Sequence, residues 1–105
     1  MAYFHLKLVP PRSTFPHDAT SEEMAAMERH VVYWQEQADA GRAIAVGPVF
    51  AKDGAFGMAI VEVADEGAAR ALADGDPVIA ARLCFQFEIA AIPSLILRHV
   101  AAPAA

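Results

Sequence analysis

Residues 20–63 read TSEEMAAMERHVVYWQEQADAGRAIAVGPVFAKDGAFGMAIVEV, and they predict a helix followed by a two-stranded hairpin. Thr20 and Glu23 match a capping box, in which each side chain bonds the backbone N–H of the other residue. Gly41 supplies the left-handed residue that ends a helix. Five apolar residues recur between these ends at spacings of three and four and therefore share one helical face: Met24, Met27, Val31, Trp34 and Ala38.

The flanking sequence adds two strands and a second helix. Lys52-Asp53-Gly54 is a turn signal between strands at residues 43–50 and 55–63. Residues 2–9 alternate between apolar and polar side chains, as in a half-buried strand. The remaining predicted elements are a helix capped by Asp65 that runs to Ala73, a helical turn over 78–81, a strand over 83–92, and a short extra strand or extended tail over 95–100.

This order, β-α-β-β-α-β, predicts an α+β chain with a ferredoxin-like fold. Two helices would cover one face of a four-stranded antiparallel sheet. Strand positions on both sides of the sheet carry apolar groups, including Val9, Val46, Met58 and Ile60. An open apolar face is an interaction site, and a symmetric dimer that stacks two sheets would bury it. We therefore expect a homodimer.

Composition favours one globular domain over residues 1–100, with a flexible C-terminal tail over 101–105. The chain has 105 residues, of which 56% are hydrophobic, and its formal net charge is −5. The basic residues form no stripe, which argues against a nucleic-acid partner. The apolar runs are shorter than the about 20 residues of a membrane span, and the N-terminus lacks signal-peptide features. The predicted location is the cytoplasm.

The only cysteine, Cys84, lies between Leu83 and Phe85, and we expect it to be a buried structural thiol. The four histidines are scattered without the spacing of a zinc helix, and no Gly-rich phosphate loop is present. The sequence therefore predicts neither a metal site nor a cofactor.

Two stretches resemble YCII-like proteins. The first is His30 followed by Gly41-Arg42 and residues 45–48 (AVGP), and the second is residues 68–77 (AARALADGDP). The resemblance implies the fold of muconolactone isomerase and other dimeric α/β barrels. It also implies a His–Asp pair, which falls here on His30 and Asp76. One branch of the family removes chloride from a chlorinated hydroxyhydroquinone. The long loop before the helix and Val78, where an aromatic often follows Asp-Pro, depart from the family pattern.

The candidate pair has a defined chemistry. Histidine takes and returns protons near neutral pH, and a carboxylate bonded to one ring nitrogen fixes its tautomer. His30 would then be the base and Asp76 its orienting partner. Trp34, Gly47 and Pro48 are the predicted substrate-binding residues, and Tyr33 offers further aromatic surface. The predicted function is a cofactor-free lyase or isomerase acting on a small aromatic or dienolic acid.

Structural roles remain open for the same residues. A lone histidine beside an apolar helix stripe is often structural, and Asp before Pro is a common turn and capping residue. Trp34, Met24 and Met27 are also read as core residues. Arg70 and Arg82 have either a surface role or a role in neutralising an anionic substrate. The acidic residues of the first helix are read as a solvated face: Glu22, Glu23, Glu28, Glu36 and Asp39. A binding module without chemistry and an assembly module are the alternative functions.

Overall fold

The computed structural model describes residues 1–98, and these residues form four strands and three helices in the predicted order. The residues predicted as a flexible tail, 101–105, lie outside this range. No helix among the described residues is both long enough and apolar enough to cross a lipid bilayer. The elements are β1 (Ala2–Val9), α1 (Ser21–Asp39), β2 (Ala43–Ala51), β3 (Gly54–Val63), α2 (Glu66–Asp74), α3 (Pro77–Ala80) and β4 (Gln86–Ile92).

The four strands form one antiparallel sheet in the order β2-β3-β1-β4. Leu6 at the centre of β1 pairs with Ala59 of β3 and with Ile89 of β4. Directly paired residues project from the same face of a sheet, and this face is the one that α1 and α2 cover. The α+β class and the ferredoxin-like arrangement predicted from the sequence are therefore confirmed. The barrel and the dimer remain predictions.

Helix α1 begins and ends where the sequence predicts. The Thr20 hydroxyl accepts a hydrogen bond from the Glu23 N–H at 3.1 Å, and the Glu23 carboxylate accepts one from the Thr20 N–H at 2.8 Å. This arrangement is the capping box, which satisfies two N–H groups that the first helical turn leaves free. At the other end Gly41 has a φ of +82°, a conformation that glycine adopts without steric cost.

The core lies between the helices and the covered face of the sheet. Alternate residues of β1 and β3 point into it, as expected from the period of a strand. Trp34 of α1 and small residues of α2 pack against them from the helix side. The main buried cluster comprises Phe4, Leu6, Trp34, Ala43, Ala59, Val61, Val63, Ala69, Leu72 and Ala73. A second cluster around Leu8, Phe15, Val78 and Phe85 joins the loop before α1 to α3.

The start of β4 differs from the prediction. The strand begins at Gln86 rather than at residue 83, because Arg82 and Cys84 have positive φ values of 56° and 68° that extended backbone does not adopt. This turn places the Cys84 side chain at the surface, so the prediction of a buried thiol is wrong. Residues 94–98 contain no strand, and the rest of the predicted 95–100 segment lies beyond the described residues.

Val46 pairs with Ala59 and therefore lies on the helix-covered side of the sheet, whereas Met58 and Ile60 lie on the open side. One further prediction about a face is wrong. Glu23 is buried instead of solvated, because Arg12 from the preceding loop forms two parallel hydrogen bonds with its carboxylate at 2.7 and 2.8 Å. A buried carboxylate requires such a partner. The Arg12 contact holds the pKa of Glu23 down to about 2.

Candidate active site

The structure brings His30 and Asp76 together. His30 lies in the middle of α1, and its Nδ1 is 2.7 Å from Oδ2 of Asp76, which precedes α3. These residues are 46 positions apart in the chain, so only the packing of α1 against α3 joins them. Asp76 is fully buried and His30 is largely buried. The distance is within the range of a hydrogen bond.

The backbone around Asp76 explains why this side chain points inward. Asp76 has extended dihedral angles, as the residue before a proline usually has, and Pro77 occupies the first position of α3. Its Oδ1 accepts a hydrogen bond from the Val78 N–H at 2.9 Å and caps the short helix. Oδ2 is therefore left to face α1, where it meets His30. The capping role that the sequence left open and the contact with His30 are both present.

Trp34 completes the surroundings of Asp76. Its indole Nε1–H donates to Oδ2 at 2.8 Å, so this oxygen meets two side chains of α1 that are one helical turn apart. The carboxylate thus has hydrogen-bond partners at both oxygens. Among the described residues, no buried polar side-chain atom lacks a partner. Such a fully bonded network is rigid, and the carboxylate is held in one orientation beside His30.

Tyr33 fixes the segment that leads into Asp76. Its hydroxyl donates to the carbonyl of Leu72 at 2.7 Å, and a Cβ added at Gly75 would lie only 2.7 Å from that hydroxyl oxygen. Glycine is therefore the residue that lets the end of α2 approach Tyr33. Burial raises the pKa of Tyr33, and the nearby charge of Asp76 acts in the same direction. Tyr33 positions the backbone, a role that the sequence analysis did not foresee.

A cavity of about 500 Å³ opens beside His30, between α1 and the β2–β3 half of the sheet. All of the predicted substrate-binding residues line it, namely Trp34, Gly47 and Pro48. Asp76 does not line it and lies behind His30. The predicted apolar stripe of α1 forms one wall of the cavity, and its members differ in burial. Trp34 is 2% exposed, whereas Met24 is 48% and Val31 is 62% exposed. The reading of Met24 as a core residue is therefore wrong.

Sequence reasoning missed much of the opposite wall. The loop before α1 contributes Phe15, whose ring meets that of Phe85 edge to face with centroids 5.2 Å apart. Phe87 of β4 lines the cavity beside Trp34, at 6.2 Å between centroids. The alternation of Phe85 and Phe87 was a signal for one shared face. Nothing in the sequence of the loop indicated that it would fold over the end of the sheet.

The arrangement suits proton transfer. With Asp76 as an acceptor carboxylate, His30 donates through Nδ1–H, and its Nε2 carries the lone pair of a base. No residue among the first 98 hydrogen-bonds that nitrogen. Arg70 and Arg82 are exposed and do not line the cavity. Within residues 1–98, no group of three His, Cys, Asp or Glu side chains is placed to hold a metal ion.

Comparison with known proteins agrees with this architecture. One solved structure with a similar fold is "5-chloro-2-hydroxyhydroquinone dehydrochlorinase (TftG) from Burkholderia phenoliruptrix AC1100: Complex with 2,5-dihydroxybenzoquinone". It is 16% identical, the match covers 83% of this chain and 90% of that chain, and the TM-score is 0.58. At that identity the likeness shows the fold alone. No curated protein sequence matches the chain. The model of the YCII-related domain matches residues 4–92, so the chain belongs to the YCII-related family.

Proposed function

We propose that this protein is a cofactor-free lyase or isomerase that transfers protons with His30 on a small metabolite. The observation that carries the proposal is the 2.7 Å contact between His30 Nδ1 and the buried carboxylate of Asp76, at the wall of an apolar cavity. A base needs a fixed tautomer and access to its substrate. Asp76 supplies the first, and the position of His30 on the cavity wall supplies the second.

The proposed step begins with Nε2 of His30 taking a proton from an activated C–H or O–H of the substrate. The imidazolium that forms is stabilised by Asp76. In an isomerisation, the electron pair left behind shifts a double bond, and His30 returns the proton to another atom of the same molecule. In an elimination, the pair expels a leaving group such as chloride, and the products are the unsaturated molecule, a proton and chloride.

Family membership and the likeness to TftG support a small-molecule reaction of this kind. TftG is named a dehydrochlorinase and was solved with 2,5-dihydroxybenzoquinone, a small ring compound. An elimination of hydrogen chloride begins or ends with a proton transfer, for which a His–Asp pair is suited. Trp34, Gly47 and Pro48 are proposed to contact the substrate, because each lines the cavity beside His30.

We further propose that the protein acts as a cytoplasmic homodimer. The face of the sheet opposite the helices carries half-buried apolar side chains of β3 such as Phe56 and Ile60. Among the described residues, no helix covers this face. Stacking of two such faces about a two-fold axis would bury them.

The test measures exchange of carbon-bound hydrogens for deuterium in D₂O. Proton NMR follows the exchange on phenols, chlorinated hydroquinones and enol lactones. The wild type is expected to exchange or convert at least one compound, and His30→Ala is expected to lower the rate by roughly 10²-fold or more, the usual contribution of a general base. His17→Ala is the matched control, because His17 is exposed and does not line the cavity. Equal rates in wild type and His30→Ala would refute the assignment.

The alternative is a non-catalytic binding or assembly module of the same fold. One observation favours it: Asp76 caps α3 and ties that helix to α1, so the network around it also has a structural role. Under this alternative a ligand is retained in the cavity and recovered unchanged after long incubation, whether or not His30 is present.

A further inference from the structure

We infer that the cavity selects uncharged, flat, largely apolar ligands and discriminates against carboxylates and phosphates. The inference deepens the proposed function, since it rests on the same cavity, but it concerns binding and does not require turnover. It departs from the acid substrate that the sequence suggested. The inference rests on which charged side chains line the cavity wall.

The described part of the cavity wall contains no charged side chain that could pair with an anion. Among residues 1–98, no Lys, Arg, Asp or Glu lines the cavity. The polar side chains that these residues place on the wall are those of His30, Trp34 and Gln35. An anion moved from water into an apolar cavity loses its hydration, and this loss is large unless a cation or several hydrogen bonds replace it.

The charged group bonded to His30 has the wrong sign to attract an anionic ligand. Asp76 lies directly behind His30, so the pair is negative when the imidazole is neutral and has no net charge when it is protonated. Neither state presents a free positive charge to the cavity. A ligand carboxylate beside His30 would therefore meet an electrostatic field that favours neutral groups.

Two arginines that flank α1 in the chain are engaged elsewhere, and Arg29, next to His30 on α1, is exposed and does not line the cavity. Arg12 is bound by Glu23 and Asp18, and Arg42 donates to Gln37 at 2.7 Å. Lys7 lies over the ring of Phe56, with its Nζ 4.8 Å from the centroid, and it projects from the face of the sheet opposite the helices. None of these side chains lines the cavity.

Size and shape define the ligand further. A cavity of about 500 Å³ is within the range of small-molecule sites. Aromatic residues from several parts of the chain line it, among them Phe15, Trp34, Phe85 and Phe87, and aromatic surfaces pack well against flat rings. The indole N–H is already bonded to Asp76, and the Gln35 amide nitrogen donates to Asp39 at 2.9 Å. Nε2 of His30 and the amide oxygen of Gln35 remain to bond a ligand. The fitting ligand is one or two fused rings that carry a hydroxyl or carbonyl group at the His30 end.

The test compares 2-naphthamide with 2-naphthoate, which have the same ring and nearly the same size but differ in charge at neutral pH. Binding is measured by calorimetry, and the site is identified by NMR, because Trp34 is the only tryptophan and gives one indole N–H signal. We expect the amide to bind roughly tenfold or more tightly than the carboxylate, and to shift the indole signal. Equal binding, tighter binding of the carboxylate, or no binding of the amide would overturn the inference.

A matched pair of variants tests the physical cause. Val46 lines the cavity and is 38% exposed, so a lysine there reaches water with its amine while its chain stays on the wall. Val46→Lys is expected to remove or reverse the preference for the amide, and Val46→Leu is expected to keep it. Gln35→Lys, at an exposed position of α1 on the same wall, provides a second cation if Val46→Lys does not fold. A preference unchanged by an added lysine in a folded variant would contradict the inference.

The result of this binding test can be distinguished from the result of the catalytic test. A wild-type protein that binds 2-naphthamide selectively but catalyses no proton exchange on any compound would retain this inference and refute the catalytic assignment. A protein that exchanges protons on an anionic substrate and binds 2-naphthoate as tightly as the amide would support the catalytic assignment and refute this inference.

Discussion

The indole Nε1 of Trp34 lies 2.8 Å from Oδ2 of Asp76, the same oxygen that contacts His30 at 2.7 Å. Helix α1 therefore supplies both the candidate base and a second donor that holds the orienting carboxylate. Trp34 is at once a wall of the cavity, a member of the core and a partner of Asp76. A residue predicted to contact substrate thus also has a positioning role.

Replacing Trp34 by Phe should separate these roles, because phenylalanine keeps an aromatic ring and loses the N–H. We expect the free energy of unfolding to fall by about 1–3 kcal/mol, since a buried acceptor loses one partner. If His30 is the base, kcat should also fall, because the carboxylate that orients the imidazole is less constrained. Urea denaturation and turnover rates are the measurements. An unchanged stability and an unchanged kcat would show that the hydrogen bond has no role.

Gly75→Ala should destabilise the protein through a clash with Tyr33. The new Cβ would lie 2.7 Å from the Tyr33 hydroxyl oxygen, and overpacking of this kind costs about 1–3 kcal/mol. Gly75 has an ordinary negative φ, so the backbone itself tolerates alanine. The double variant Gly75→Ala/Tyr33→Phe should recover much of the loss. A double-mutant cycle by urea denaturation measures the coupling, and additive losses would contradict the clash.

The ion pair between Arg12 and Glu23 should make stability depend on pH in the acid range. The pKa of Glu23 is lowered from 4.5 to about 2 by the hydrogen bonds from Arg12. A lowered pKa in the folded state means that the stabilisation is present above pH 4.5 and is lost as the pH falls towards 2. Glu23→Gln should flatten the dependence of urea midpoint on pH over that window. Glu22→Gln, at an exposed neighbouring position, is the control that should leave it unchanged.

The open face of the sheet should mediate dimer formation. Ile60 lies near the centre of β3, pairs with His5 of β1, and projects from the face opposite the helices. We expect the wild type to sediment as a dimer and Ile60→Glu to sediment as a folded monomer, because burying an unpaired carboxylate at an interface is unfavourable. Lys52→Glu, in the exposed β2–β3 turn, is the control for added negative charge. A monomeric wild type would refute the dimer.

Local features of the sequence were sufficient to predict the order of the helices and strands and most of their bounds. The capping box at Thr20, the glycine at position 41 and the strand alternation in residues 2–9 each act over a few residues, and each appears in the structure as predicted. Local signals failed at residues 82–85. Two positive φ values there turn Cys84 outwards, and neither residue type favours that conformation on its own.

The family resemblance selected His30 and Asp76, but their contact depends on how α1 packs against α3. Packing of the loop before α1 decided the burial of Glu23 by Arg12 and the closing of one cavity wall by Phe15, and neither was visible in the sequence. Each of these features joins residues from separate elements. Periodicity and capping are set by neighbours along the chain, whereas contacts across the fold are set by which surfaces pack together, and only the tertiary structure specifies that.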